Sequence, residues 1–165
     1  MPQLRRAVLF VAIFLCTTGF DQASKQWAEG TLPPGKAQPF IEGFWDWELA
    51  RNTGVAFSQL TDVGGGQIVL SILAALALIG IGVVAARTRP EQRMKLAGLS
   101  LIGGGALGNL IDRIRAGGVT DFVRWKAGDH LWPIFNVADA ALVVGICVLL
   151  LESVLAKRRR VKLVT

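Results

Sequence analysis

Tyrosine is absent from this 165-residue chain, histidine occurs once, at His130, and the two cysteines, Cys16 and Cys147, stand far apart. A single imidazole leaves no donor set for a zinc peptidase, which needs several ligands, so His130 reads as an interfacial loop residue. Two distant cysteines within apolar runs form no CxxC or metal-ligand spacing and no disulfide framework; they read as small buried residues. Charge is also scarce, at 18% of residues. No internal repeat or low-complexity tract appears, and no cofactor or metal is implied.

What the chain does contain is apolar sequence: 52% hydrophobic residues and a mean hydropathy of +0.48, in runs too long for a soluble core of this size. Four stretches meet the ~20-residue length needed to cross a bilayer, at about 4–27, 67–86, 96–114 and 135–155. The expected fold is therefore a single membrane domain, mainly α, with four transmembrane helices, a small extracytoplasmic β-sheet subdomain at about 29–65 and a short outer loop at about 116–133.

The net charge of +6 does not point to nucleic acid, because the basic residues collect at span ends. Eleven of the eighteen lie in three clusters: Arg5 with Arg6, then Arg87, Arg89, Arg93 and Lys95, then Lys157 to Arg160 with Lys162. By the positive-inside rule both termini and the middle loop are cytoplasmic, in a multi-pass membrane protein. The segment from Asp21 to Gly66, with three basic and six acidic residues, then faces outward. So do all five tryptophans, Trp27, Trp45, Trp47, Trp125 and Trp132, which suit the headgroup boundary. Arg5 and Arg6 before an apolar run also resemble a cleavable signal peptide. A retained helix is favoured, because Asp21 and Lys25 extend it at i,i+4 spacing and no small-x-small site follows Phe20.

In the first outer segment, Pro33-Pro34-Gly35 breaks the helix, and apolar and polar residues alternate from Phe44 to Arg51. Trp45, Trp47 and Leu49 share one face of a strand that can lie on the membrane, and Asp46 and Glu48 share the other. Asn52-Thr53-Gly54 supplies a turn, and Val55 to Leu60 reads as a returning strand, placing Arg51 and Asn52 at a hairpin bend. In the second outer segment, Val119 to Val123 is a short extended piece carrying Asp121.

The chemistry concentrates at this outer face. Asp139 lies about one turn inside the apolar stretch from Ile134 to Leu155, Asp121 lies a short loop upstream, and Asn136 is one helical turn before Asp139. An acid in a span is costly without a task, and two carboxylates at one membrane face suggest a pair that handles a proton. The third span adds Asn109, Asp112 and Arg113 in its last turns, with Gly98, Gly105 and Gly108 near the same helix face, where small residues permit close packing. A serine–lysine peptidase is not set up, since Ser24 and Lys25 are adjacent and leave a helix in different directions. A small ion- or proton-coupled transport subunit using Asp112 and Asp139 is the alternative. It would want acids near the midplane, yet the central third of every span lacks charge. A non-catalytic scaffold would not need both Asp121 and Asp139.

Five blocks carry a resemblance: Asp21-Gln22-Ala23-Ser24-Lys25, Arg51-Asn52-Thr53-Gly54-Val55-Ala56-Phe57, the run from Gly105 to Arg113, Val119-Thr120-Asp121-Phe122-Val123, and Phe135-Asn136-Val137-Ala138-Asp139. In order and spacing they resemble bacterial lipoprotein signal peptidase, the signal peptidase II family, over nearly the whole chain. Thr120 and Ala140 depart from it, standing where an aliphatic residue and a serine are common. The resemblance implies an aspartic endopeptidase of the bacterial cytoplasmic (inner) membrane that removes the signal peptide from diacylglyceryl-modified prolipoproteins, cutting before the lipidated cysteine. Asp121 and Asp139 would be catalytic. Asn52, Gly54, Asn109, Arg113 and Asn136 would line the substrate site, and Asp21 with Lys25 would brace the first helix and the outer domain. Asp112 would order Arg113 or the helix end. The implied partners are lipid-modified prolipoproteins and membrane lipid, with no obligate protein partner.

Overall fold

The structure is a computed structural model describing residues 2–54 and 66–162, which form α1 (Pro2–Thr31), β1 (Gln38–Ile41), β2 (Trp45–Asn52), α2 (Gly66–Arg87), α3 (Arg93–Ala116), β3 (Val119–Ala127), β4 (His130–Leu131) and α4 (Val137–Lys162). All four helices are long and apolar enough to cross a membrane. The segment expected to return as a strand, Val55 to Leu60, lies outside the described residues.

α3 packs against each of the other three helices, and its glycines explain how. A Cβ on Gly104 would lie 2.8 Å from the Phe14 carbonyl oxygen of α1, and one on Gly105 would lie 2.5 Å from that of Ala138 in α4. Gly98 of α3 and Gly145 of α4 face each other the same way, each within 3.0 Å of the other's carbonyl oxygen if a Cβ were added. Such spacing lets backbones touch, which is how helices associate where lipid tails offer no hydrophobic drive. Gly108 makes room for a side chain instead: a Cβ there would collide with the Asp21 carboxylate.

The two ends of the bundle differ. At one, Leu96, Leu99 and Ala85 form a small apolar core, and Arg6 donates to the carbonyls of Ala86 (3.2 Å) and Thr88 (3.0 Å) at the end of α2. These are carbonyls a helix terminus leaves unpaired. At the other end sits an antiparallel sheet in the order β1-β2-β3-β4. α3 stops at Gly117, whose φ of 65° is left-handed and whose N–H returns to the Arg113 carbonyl. Gly118 then approaches the Asn52 carbonyl, and β3 starts at once, pairing Ala50 with Asp121 and Asn52 with Val119.

The sheet is more extensive than the sequence suggested. β1 was not anticipated, and the expected outer loop supplies two strands, with His130 in β4 rather than in a loop. The apolar face of β2 does not simply lie on the membrane. Trp45, Trp47 and Leu49 pack on Ala28 and Leu32 at the end of α1 and on Phe122 and Val123 of β3. The opposite face is buried as well, because Asp46 pairs with Lys126 (2.7 Å) and Glu48 with Arg124 (2.7 Å). Cys16 and Cys147 correct the expectation of burial: both are exposed on the outside of the bundle, where a thiol tolerates lipid like a small hydrophobe.

Candidate active site

Nearly every polar residue singled out in the sequence converges at the sheet end, where α1, α3, α4, β2 and β3 meet. Lys25 anchors the group. Its side chain is 3% exposed, and its ammonium donates to Asp21 Oδ2 (2.8 Å), Asp112 Oδ2 (2.9 Å) and Asn109 Oδ1 (2.8 Å). An ammonium has three N–H donors, and all are used.

The third of those bonds has a consequence. Because Asn109 Oδ1 faces Lys25, its Nδ2 must point the other way, and it donates to Asp139 Oδ1 at 2.8 Å. Lys25 therefore sets the orientation of an amide whose other end holds Asp139. The lysine never touches the carboxylate it positions.

Asp139 is fixed from a second side by the start of its own helix. Asn136 precedes α4, and its Oδ1 accepts from Asp139 N (3.0 Å) while Asp139 Oδ2 accepts from Asn136 N (3.2 Å). This reciprocal pattern is a capping box, with a carboxylate in the first turn where the helix dipole favours negative charge. The same Asn136 reaches the other acid, donating through Nδ2 to Asp121 Oδ1 at 2.6 Å. One fully buried asparagine thus links both carboxylates. Asp121 Oδ2 accepts from Asn52 Nδ2 at 3.0 Å, and Asn52 Oδ1 accepts from Gly54 N at 2.9 Å, in a turn where Gly54 has φ 77°. A residue with a side chain is strained there, and a Cβ would also meet Leu70.

Asp121 is 2% exposed, and burial pushes its carboxyl up to about 6. The adjacent Asp139 charge pushes the same way, against hydrogen bonds from Asn52 and Asn136 and the more distant charge of Lys25. Asp121 therefore gives up its proton less readily than an ordinary carboxyl.

The remaining residues divide differently from expectation. Asp21 and Lys25 do not brace the sheet directly: Asp21 Oδ1 accepts from Ala138 N of α4 (2.9 Å), and Lys25 turns to α3. The link to the sheet runs through Asp112, which pairs with Lys25 and, at the end of α3, accepts from Thr120 N of β3 (3.2 Å), the helix-end half of its expected role. Arg113 returns to the Asn109 carbonyl (3.3 Å) and lines a groove between α2 and α3. Gln22 had been given no role. It ties α1 to α3 through Asp112 Oδ1 (2.9 Å) and the Gly108 carbonyl (3.1 Å), and its place one residue after Asp21 was the available signal. Arg51, expected only at a bend, donates to Thr120 Oγ1 (3.0 Å) and to the Ala116 carbonyl (2.8 Å), clamping the α3–β3 turn. No cluster of metal-ligating side chains occurs among the described residues.

Four spans with two linked carboxylates at one end, Asp121 buried and Asp139 half-buried, fit a class, the membrane-embedded aspartic peptidases. The family description "Signal peptidase (SPase) II" matches residues 13–155. The lipoprotein signal peptidase of Xylella fastidiosa (strain 9a5c) is 40% identical over 145 residues, covering 87% of each chain. That of Xanthomonas euvesicatoria pv. vesicatoria (strain 85-10) is 42% identical over 142 residues, 84% of this chain and 81% of the relative. A bacterial membrane enzyme solved by the in meso method superimposes with a TM-score of 0.79 at 28% identity, covering 86% of this chain and 90% of that one. The chain belongs to the signal peptidase II family, and its activity is removal of signal peptides from prolipoproteins. The transport reading finds no support.

Proposed function

We propose that Asp121 and Asp139 are the catalytic pair of this peptidase, and that its substrates are lipid-modified prolipoproteins cut just before the lipidated cysteine. The observation that carries the assignment is the bond of Asn136 to both carboxylates, which holds them as a unit. One member ionised and one protonated is the state such a pair favours. The ionised carboxylate takes a proton from water as it attacks the scissile carbonyl. The protonated partner donates to the carbonyl oxygen as negative charge builds there, and a tetrahedral intermediate forms. Collapse of that intermediate passes a proton to the leaving amine and restores the pair.

Asn52, Gly54, Asn109, Arg113 and Asn136 surround the pair. Asn52, Asn109 and Asn136 hold the carboxylates by donated hydrogen bonds, and Gly54 and Arg113 border the space where substrate enters. An extended peptide at membrane depth needs its backbone groups paired, which amides of this kind supply. The concentration of Arg and Lys at the opposite end supports a cytoplasmic location for both termini and an extracytoplasmic location for the site. The test uses purified protein in lipid with diacylglyceryl-modified and unmodified precursors. Cleavage restricted to the modified precursor, and lost in Asp121→Asn and Asp139→Asn, is the expected result. Equal cutting of the unmodified precursor refutes the lipid requirement.

A further inference from the structure

Beside the catalytic pair lies a polar group that the reaction does not use. Gln67 is at the start of α2, and both amide atoms of its side chain are buried with no partner among the described residues. Arg113 Nε is unpartnered in the same way. Buried amides and guanidiniums are almost always paired in native proteins, because leaving them bare forfeits their hydration. Both residues line one groove of about 400 Å³ between α2 and α3, whose walls include Ile68, Ile72, Leu110 and Ile114. Ser71 also lines it, but its hydroxyl is spent on the Gln67 carbonyl at 2.7 Å.

The groove adjoins the site. A Cβ at Gly54 would stand 3.5 Å from Gln67 Nε2, and the amide of Gly54 is bound to Asn52, which holds Asp121. From the reacting carboxylate to the unpartnered amide the path runs Asp121, Asn52, Gly54, Gln67.

A prolipoprotein cut next to its lipidated cysteine must place that cysteine's thioether-linked glyceryl group within a few bonds of the scissile peptide. Its acyl chains suit apolar walls open to lipid, and its two ester carbonyls are hydrogen-bond acceptors in need of donors there. We propose that Gln67 is a specificity-determining residue. Its Nε2–H, together with Arg113 Nε–H, binds an ester carbonyl of the substrate's diacylglyceryl group in the groove between α2 and α3. This rests on the lipid-modified substrate proposed above and goes beyond it, naming the ester rather than the chains as the feature read.

The test compares three synthetic precursors with one peptide sequence: a diacylglyceryl ester, the dialkyl ether of equal chain length, and the unlipidated peptide. The ether keeps the chains and removes the carbonyl acceptors. For the unaltered protein, kcat/KM on the ester should exceed that on the ether by at least roughly 10-fold, one neutral hydrogen bond from Gln67 and a stronger one from the charged Arg113, with the difference in KM. In Gln67→Leu, similar in bulk but without the amide, that ratio should fall by roughly 3–10-fold, to what Arg113 alone supplies. A merely structural role for Gln67 would lower both rates and leave the ratio intact. An unaltered ratio in Gln67→Leu, or a ratio of one in the unaltered protein, overturns the inference while leaving the peptidase assignment standing. Because the second outcome needs no variant, poor folding of Gln67→Leu does not protect the idea. Equal cleavage of the unlipidated peptide overturns the lipid reading and the inference together.

Discussion

α2 and α3 have similar lengths but unlike surroundings. α2 has a mean hydropathy of 2.9 over its most apolar window and Ala85 as its one buried residue among those described. α3 has a mean hydropathy of only 1.3 over its most apolar window, yet half of that window is buried, including Asn109 and Ser100, and the buried Asp112 follows in the same helix. In water the more apolar helix would be the buried one. In lipid the order reverses, because a span that touches acyl chains must be greasy while a central span can carry the polar groups its neighbours satisfy.

The comparison is broken most severely if carboxylates at the polar end can be changed without consequence. Asp121→Asn or Asp139→Asn should lower kcat by at least the ~10²–10⁴-fold of general acid–base catalysis, measured on the lipidated precursor, while the protein still inserts. Lys25→Met should be the most damaging to stability. It strands the buried Asp21 and Asp112 carboxylates and frees Asn109 to turn, so about 3–5 kcal/mol should be lost in detergent unfolding, with turnover falling in whatever protein remains folded.

Asp121 supplies a sharper test through pH. Its carboxyl is at about 6 in the fold against an ordinary 3.8, so folding favours the protonated form. Its contribution is fully present below pH 3.8 and is lost as pH rises through 6, up to roughly 3 kcal/mol at ~1.4 kcal/mol per pH unit. Relative to Asp121→Asn, the unaltered protein should therefore lose Tm between pH 4 and pH 7. Parallel Tm curves would show that the group is not strained. Gly105→Ala forces a methyl against the Ala138 carbonyl and should cost about 1–3 kcal/mol. Leu76→Val on the exposed face of α2 should change stability by less than about 0.5 kcal/mol, and a larger loss would mean that face is covered.

The same contrast explains what the sequence could reveal. Spans are legible because lipid demands long apolar runs, and Asp121 and Asp139 stood out because acids there are rare. The blocks around them also carried a family resemblance. The sheet was less legible. All four residues of β1 are exposed, so no burial pattern marks it, and it exists because β2 offers an edge. Asp46 and Glu48 alternate with tryptophans as solvent-facing residues would, but register sets Asp46 opposite Arg124 and the face is closed by ion pairs. Lys25 was visible as an i,i+4 partner of Asp21. Its hold on Asn109 was not, since that contact joins residues 84 apart in sequence.

The pairing of Asp21 with Lys25 inside one helix also bears on biogenesis. Ribosomes deliver α1 to the bilayer well before α3 exists, so during that interval neither Asp112 nor Asn109 can help. The turn that carries the pair has no net charge of its own while it waits. When α3 follows, its carboxylate meets a lysine already in place, and Asp121 and Asp139 arrive only afterwards, on β3 and α4.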